Sequence, residues 1–407
     1  MNRLPDFRRP EQVVYTQAHL LWLGILLFMM HLGSRRQLRW ERQADILAQN
    51  LAALCDQVGL DGVADPDTLA YYAERIDPAS IEDLLAQLTV LLIRMKALDD
   101  FRLDGYFPVA IDGSQVCTFD QEPWPGCPSR RLSDGSVQYF SYVLDAKLVT
   151  PCGMALTLAS EMLTNEDHKE FDKQDCELKA FPRLAAKLHR LFPRTPLCLL
   201  FDALYDSQNV IRLVETNRWK YFITFKEGSM PERYAEAVAL AKLQEHNTMF
   251  VKMAHLTQTF RWVEQLPIAE FTPNVIFCLE QTETKEATNF VWLTNVHVSS
   301  HNIMNITNKG GRLRWKIENE GFNVQKNRGY EMEHPYSEHP NGFRVFYLLL
   351  LIAHYLMQLI LHGSLIRSLM QTFGSAKNFA RRLAESLRRF VLPGNLPLPG
   401  QIRFMPP

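Results

Sequence analysis

Paired cysteines are missing from this 407-residue sequence. Its seven cysteines (Cys55, Cys117, Cys127, Cys152, Cys176, Cys198, Cys278) are odd in number, widely spaced and never form Cys-x-x-Cys, which argues against a disulfide framework and a zinc finger. A reduced, intracellular setting is the expectation. Cys117, Cys127 and Cys152 could join His168 in a soft metal site, although buried or incidental thiols are the simpler explanation. Net charge is missing too: 44 Lys and Arg against 45 Asp and Glu leave −1 at pH 7. Any affinity for nucleic acid must therefore come from local basic patches and not from the field of the whole molecule.

Low-complexity runs are absent, and the opening stretch MNRLPDFRRPEQ lacks the basic-then-apolar order of a signal peptide. Secretion is not expected; a cytoplasmic protein is. Apolar runs of membrane length are scarce. HLLWLGILLFMMHLG (19–33) is short for a span, and FRVFYLLLLIAHYLMQLILHG (343–363) carries Arg344, His354 and Gln358 within it. Both read as buried core helices, with no membrane partner.

What remains is a globular composition, 47% hydrophobic and 22% charged, with room for two or three units. Residues 1–104 show apolar residues at helical spacing, as in SIEDLLAQLTVLLIRMKAL, broken at DGVADPD and RIDPAS. Within them SRRQLRWERQ carries Arg35, Arg36, Arg39 and Arg42; in a helix Arg35, Arg39 and Arg42 share a face that could grip phosphates or simply be solvated. Residues 105–229 change to short strands. GYFPVAIDGS, VQYFSYVLDAKLVT and GMALTLASEML suggest an antiparallel meander. A helix at 175–192 follows, with Pro182 arguing for a bend or late start, then a strand PLCLLFD, a helix capped by Ser207 and a strand WKYFITFKEG. That order is the order of an RNase H-like α/β (α+β) core. An all-β insertion is expected over 230–298, core completion over 299–370, and a basic tail over 371–407.

Asp112 ends FPVAID and Asp202 ends PLCLLFD. A carboxylate at the mouth of an apolar strand is costly unless solvated or paired, so each asks for a partner; each could also merely cap the turn behind its strand. A third carboxylate comes from RLRWKIENEGFNVQK (312–326). At roughly 100° per residue, Glu318 falls about 40° from both Arg314 and Phe322, while Glu320 points about 160° away from Glu318 and can pair with Lys316. Glu318 is therefore the site residue. Two Asp and one Glu suit hard divalent cations, and two such ions roughly 3.5 to 4 Å apart can activate an attacking oxygen and stabilise a leaving one in phosphoryl transfer.

With these residues in place, the sequence resembles the DDE transposases of bacterial insertion sequences, in the insertion-sequence-four family with its Y-R-E-K signature. RWKIE looks like the Arg-Trp-x-Ile-Glu core of that signature, VAIDGS like the first-aspartate strand, LLFDALYDSQNVIRLVETNRWKYFITFK like the second-aspartate region and FVWLTN like the strand leading toward the glutamate. The likeness covers roughly residues 105–360. It implies Asp112, Asp202 and Glu318 as the catalytic and metal triad, two Mg²⁺ ions (Mn²⁺ a possible substitute), and Arg314 as a phosphate contact. Two positions depart from the pattern: Gly311 stands for the signature tyrosine and Gln325 for the lysine, with Lys326 next along. Some relatives stack an aromatic beside the scissile bond, and Trp292 or Phe290 would be that residue here. The resemblance also implies double-stranded DNA as partner, both terminal inverted repeats and target, and a homodimer that joins two ends. Arg35, Arg36, Arg39 and Arg42 become possible phosphate contacts on the repeats, with Arg130, Arg131 and the basic residues of the tail forming other patches. A nuclease without strand transfer and an inactive DNA-binding descendant are the alternative readings.

Overall fold

Strand β1 (Phe107–Phe119) is buried on both faces through Ile111, half-buried from Asp112 to Gln115 and buried again at Val116 and Cys117. Apolar residues on both sides of a strand demand neighbours at both edges, and β1 has them. It pairs antiparallel with β3 (Val137–Val149) on one side and parallel with β5 (Leu197–Phe201) on the other. The computed structural model describes residues 1, 4–41, 44–55, 57, 62–165, 176–282, 286–364, 372–393 and 402–404.

Around this pair grows a ten-stranded mixed sheet. The outer edge of β3 carries the short β2 (Ser129–Arg131) along its start and β4 (Ala155–Met162) along its end, so β1, β3 and β4 form the expected meander. Beyond β5 lie β6 (Lys220–Thr224), parallel to it, and then β10 (Thr288–Thr294), β9 (Asn274–Thr282), β8 (Leu256–Val263) and β7 (Thr248–Lys252), all antiparallel.

The chain is also strongly helical before the sheet. Its early helices are α1 (Gln17–Met29), the single turn α2 (Leu38–Glu41), α3 (Asp45–Leu54), α4 (Pro66–Ala73) and α5 (Pro78–Arg94). The breaks DGVADPD and RIDPAS are helix starts: Asp65 and Asp77 accept N–H groups of the first turn while proline takes the first helical position. Parallel strands need crossovers, and α6 (Glu177–Leu191) and α7 (Gln208–Thr216) supply them. Ser207 caps α7 as expected. Of the bend or late start expected from Pro182, the late start is not seen: α6 begins at Glu177 and runs through Pro182, because the buried face of Ala180, Phe181, Leu184, Ala185 and Leu188 outweighs one lost backbone donor.

Two further corrections concern architecture. The segment 230–298 is not all β: it opens with α8 (Pro231–Leu243), and its strands continue the main sheet through the β6–β10 pairing. The expected basic tail is also partly a docked helix. After α9 (Ile303–Asn308), α10 (Asn323–Asn327) and α11 (Pro340–His362) comes α12 (Ala376–Arg389), fastened to α3 by Asn50. Asn50 Nδ2 donates to the carbonyls of Leu387 and Phe390, each at 2.8 Å, and its Oδ1 accepts Leu392 N–H at 2.7 Å. Arg388 is spent on Glu41, leaving Arg381, Arg382 and Arg389 exposed.

Both apolar stretches are interior helices. Among the described residues α11 alone is long and apolar enough to cross a membrane, yet 72% of that stretch is buried, against α1, α4, α5 and β4.

Candidate active site

Because β1 and β5 are parallel neighbours with Ala110 opposite Leu200, Asp112, midway along β1, and Asp202, just past the end of β5, come side by side. The turn-capping role is realised for Asp202, which caps a 3₁₀ turn (Ala203–Tyr205), but not for Asp112, because β1 continues through Gly113 to Phe119. Gly113 N–H donates to Asp112 Oδ1 at 3.0 Å, and Leu204 N–H donates to Asp202 Oδ1 at 2.9 Å. In each carboxylate the second oxygen makes no such bond. That of Asp112 accepts Arg314 Nη1 at 3.2 Å.

Glu318 arrives on backbone unlike the regular α-helix expected over 312–326. A 3₁₀ turn (Gly311–Leu313) leads into a π-helical turn (Ile317–Phe322), which continues as α10. A π turn inserts a residue into the helical repeat and is enriched at functional sites. Here it lets Ile317 and Phe322 both bury while Glu318 reaches the cleft. Glu320 stays outside that cleft and accepts Lys316 Nζ at 3.2 Å, as its spacing suggested.

Asp112, Asp202 and Glu318 line one cleft of about 450 Å³, together with Arg314, Trp315 and Lys326. Burial pushes the Asp112 carboxyl up to about 6, opposed by the Arg314 guanidinium and reinforced by the nearby carboxylates of Glu177 and Asp202. Glu177, at the start of α6, is an acidic neighbour that sequence reasoning missed. Its oxygens accept the hydroxyls of Tyr142 at 2.6 Å and Tyr205 at 2.9 Å. A Cβ on Gly113 would stand 2.5 Å from Glu177 Oε1 and from the Tyr142 ring, so only glycine lets this clamp close against β1.

Arg314 is mostly buried, with its guanidinium 4.3 Å from the Trp315 ring. Lys326 shares the cleft despite its expected rotation away from Glu318, and its Nζ lies 3.2 Å from Glu333 Oε1. Trp292 is only 3% exposed and belongs to the core. A Cβ at position 311 would lie 2.6 Å from its indole, which gives Gly311 a packing reason and denies Trp292 an open face for a base. Phe290 stacks on Trp292, with Arg312 over the Phe290 ring at 4.0 Å. The exposed aromatic at the cleft is instead Trp315, 50% exposed, on the turn that also carries Arg314, a position that spacing along β10 does not reach. Gln325 is fully buried against His354.

The described part of the basic segment of the N-terminal region is a 3₁₀ turn running straight into the single turn α2. Arg35 and Arg36 lie in a 3₁₀ turn, Arg39 on α2 pairs with Asp67 at 2.8 Å, and Arg42 lies outside the described residues. His168 also lies outside them. Cys117 and Cys127 donate to backbone carbonyls of Glu333 and Phe140, and burial pushes both thiols up to about 12, the reverse of what thiolate ligation needs.

Among the described residues no three His, Cys, Asp or Glu side chains converge closely enough to cage one ion. An all-oxygen set spread along one cleft fits cations that keep several waters and take phosphate oxygens as ligands, as Mg²⁺ does, and not a closed structural site. A cation would also offset the burial, and after it the neighbouring Glu177 and Asp202 charges, that raise the Asp112 carboxyl. No protein-family model matches the chain, and no curated protein matches it.

Proposed function

We propose that the chain is a DDE transposase of an insertion sequence, cutting phosphodiester bonds at element ends and joining the freed 3′-hydroxyl to target DNA. One observation carries the reading: three carboxylates, separated in sequence as Asp112, Asp202 and Glu318, line a single cleft with Arg314 and Lys326. The strand order β4-β3-β1-β5-β6, with three antiparallel strands followed by two parallel ones, is the order an RNase H-like core requires, which supports the same reading.

Asp112, Asp202 and Glu318 would hold the divalent ions, Mg²⁺ or Mn²⁺. Bound there, two such ions would activate the attacking oxygen and stabilise the leaving one. Arg314 exchanges Asp112 for a phosphate oxygen when DNA enters, since its guanidinium can clamp phosphate through two donors and is prealigned by Trp315. Lys326 exchanges Glu333 for a second phosphate. Trp315 takes the base-stacking role first assigned to Trp292, because its ring is exposed at the cleft. Inverted repeats and target are the DNA partners, and a homodimer brings two ends together.

Cleavage of a plasmid carrying this gene with its native flanks tests the reading. In Mg²⁺, wild type and Glu320→Gln should cut at the element ends and Glu318→Gln should not. Equal cutting by Glu318→Gln would remove Glu318 from the site, and no cutting by a folded wild type would remove the activity.

A further inference from the structure

A fully buried cation lies beneath the turn that carries Glu318. Lys147 on β3 has no exposed side-chain surface, and neither does its partner Asp145, whose Oδ2 accepts Lys147 Nζ at 2.6 Å. A buried pair of this kind brings little net stability, so its retention invites a conformational explanation. The remaining contacts suggest one. Nζ also donates to Thr157 Oγ1 on β4 at 3.1 Å, approaches Gln325 Oε1 on α10 at 3.5 Å, and lies 4.7 Å from the centre of the Phe322 ring. Phe322 ends the π turn, and a Cβ on Gly321 would come within 3.0 Å of both Cδ and Cε of the lysine, so its stem presses directly on that backbone.

Two features tie this cation to the opposite wall of the cleft. Asp145 stands across the β1–β3 ladder from Asp112, and directly opposed residues share a face of the sheet. The β3–β4 register slips between Ala146 and Lys147, the kind of irregularity that re-aims a side chain beside a site. Tyr347 of α11 completes the support by donating to Asp145 Oδ2 at 2.9 Å.

We infer that the Lys147–Asp145 pair is a positioning device: it joins the strand bearing Asp112 to the turn bearing Glu318 and so sets the separation of the two carboxylates. The structural half of this inference stands alone; its consequence for metal and DNA rests on the function proposed above. Gln325, where the family signature has a lysine, belongs to the device as an acceptor for Lys147.

The test compares the full-length wild type with the double variant Lys147→Met, Asp145→Asn, which removes both charges while keeping the lysine's bulk and an oxygen for Tyr347. Replacing Lys147 alone would strand a buried carboxylate and confuse misfolding with misplacement. Hydrogen exchange should accelerate about tenfold or more across residues 317–323, with β4 and α11 keeping wild-type protection. Mn²⁺ affinity, titrated by electron paramagnetic resonance, should fall about 10- to 100-fold, and the kcat for end cleavage should fall with KM for DNA unchanged. Unchanged exchange across 317–323 in the folded double variant overturns the inference, as does faster exchange in every element, which marks a purely structural pair. Local loosening in the variant, with a wild type that binds no Mn²⁺, upholds the positioning role and removes the metal reading instead.

Discussion

On the proposed function, Asp112 serves two states, one with a metal ion and one without. Metal-free, its carboxyl is held up at about 6 by burial, so the folded chain keeps a proton that the unfolded chain has already lost. Asp206 is raised to about 6 for the same first reason. The sign follows: both contribute stability at low pH that is lost as pH rises through about 6. Buried histidines act oppositely. His19 and His31 are depressed to about 4 and His354 to about 3, so their contribution is present above pH 6.5 and lost as pH falls through those values. Three histidines against two carboxyls should make the metal-free protein melt at lower temperature at pH 4.5 than at pH 7, measurable by calorimetry. On the proposed function, cation binding requires Asp112 to lose its proton, so Mn²⁺ affinity should fall toward about tenfold per pH unit below about 6. Glu177→Gln, which removes one of the charges raising that carboxyl, should move the midpoint downward.

Glycine-bearing turns decide matters at the scale of the element. Gly311→Ala would drive a Cβ into the Trp292 indole at 2.6 Å, and overpacking of this kind costs about 1 to 3 kcal/mol. A lowered Tm with the fold retained is the expected result. Docking of α12 depends on Asn50, which makes three hydrogen bonds to that helix and the residues after it. Asn50→Ala should therefore expose the C-terminal segment to limited proteolysis while leaving the sheet resistant. The sequence made much of this legible. The end of β5 at Asp202 followed from an apolar run stopping at a carboxylate, whereas β1 runs on past Asp112 to Phe119; the choice of Glu318 over Glu320 followed from helical spacing. The π turn was not legible, because nothing in IENEGF separates it from an α-helix without the sheet beneath. Lys147 and Asp145 were hidden for a related reason: they pair with each other inside an apolar strand, and Thr157, Gln325 and Tyr347, which complete their site, come from other elements.

Across the whole molecule, the sheet was partly readable and its extent was not. The order of strands and helices through β6 could be taken from patterning, yet the continuation through β10 to β7 depends on pairing between segments far apart in the chain. The docking of α12 on α3 likewise joins two regions whose basic residues had suggested separate roles. Interior helix α11 packs against α1, α4, α5 and β4. The early helices are thus also the lining of the sheet-bearing part. Anyone seeking a smaller catalytic fragment by cutting before β1 would uncover a greasy rod of 23 residues, and should recover aggregates or detergent-bound material where a separable module would have stayed in solution.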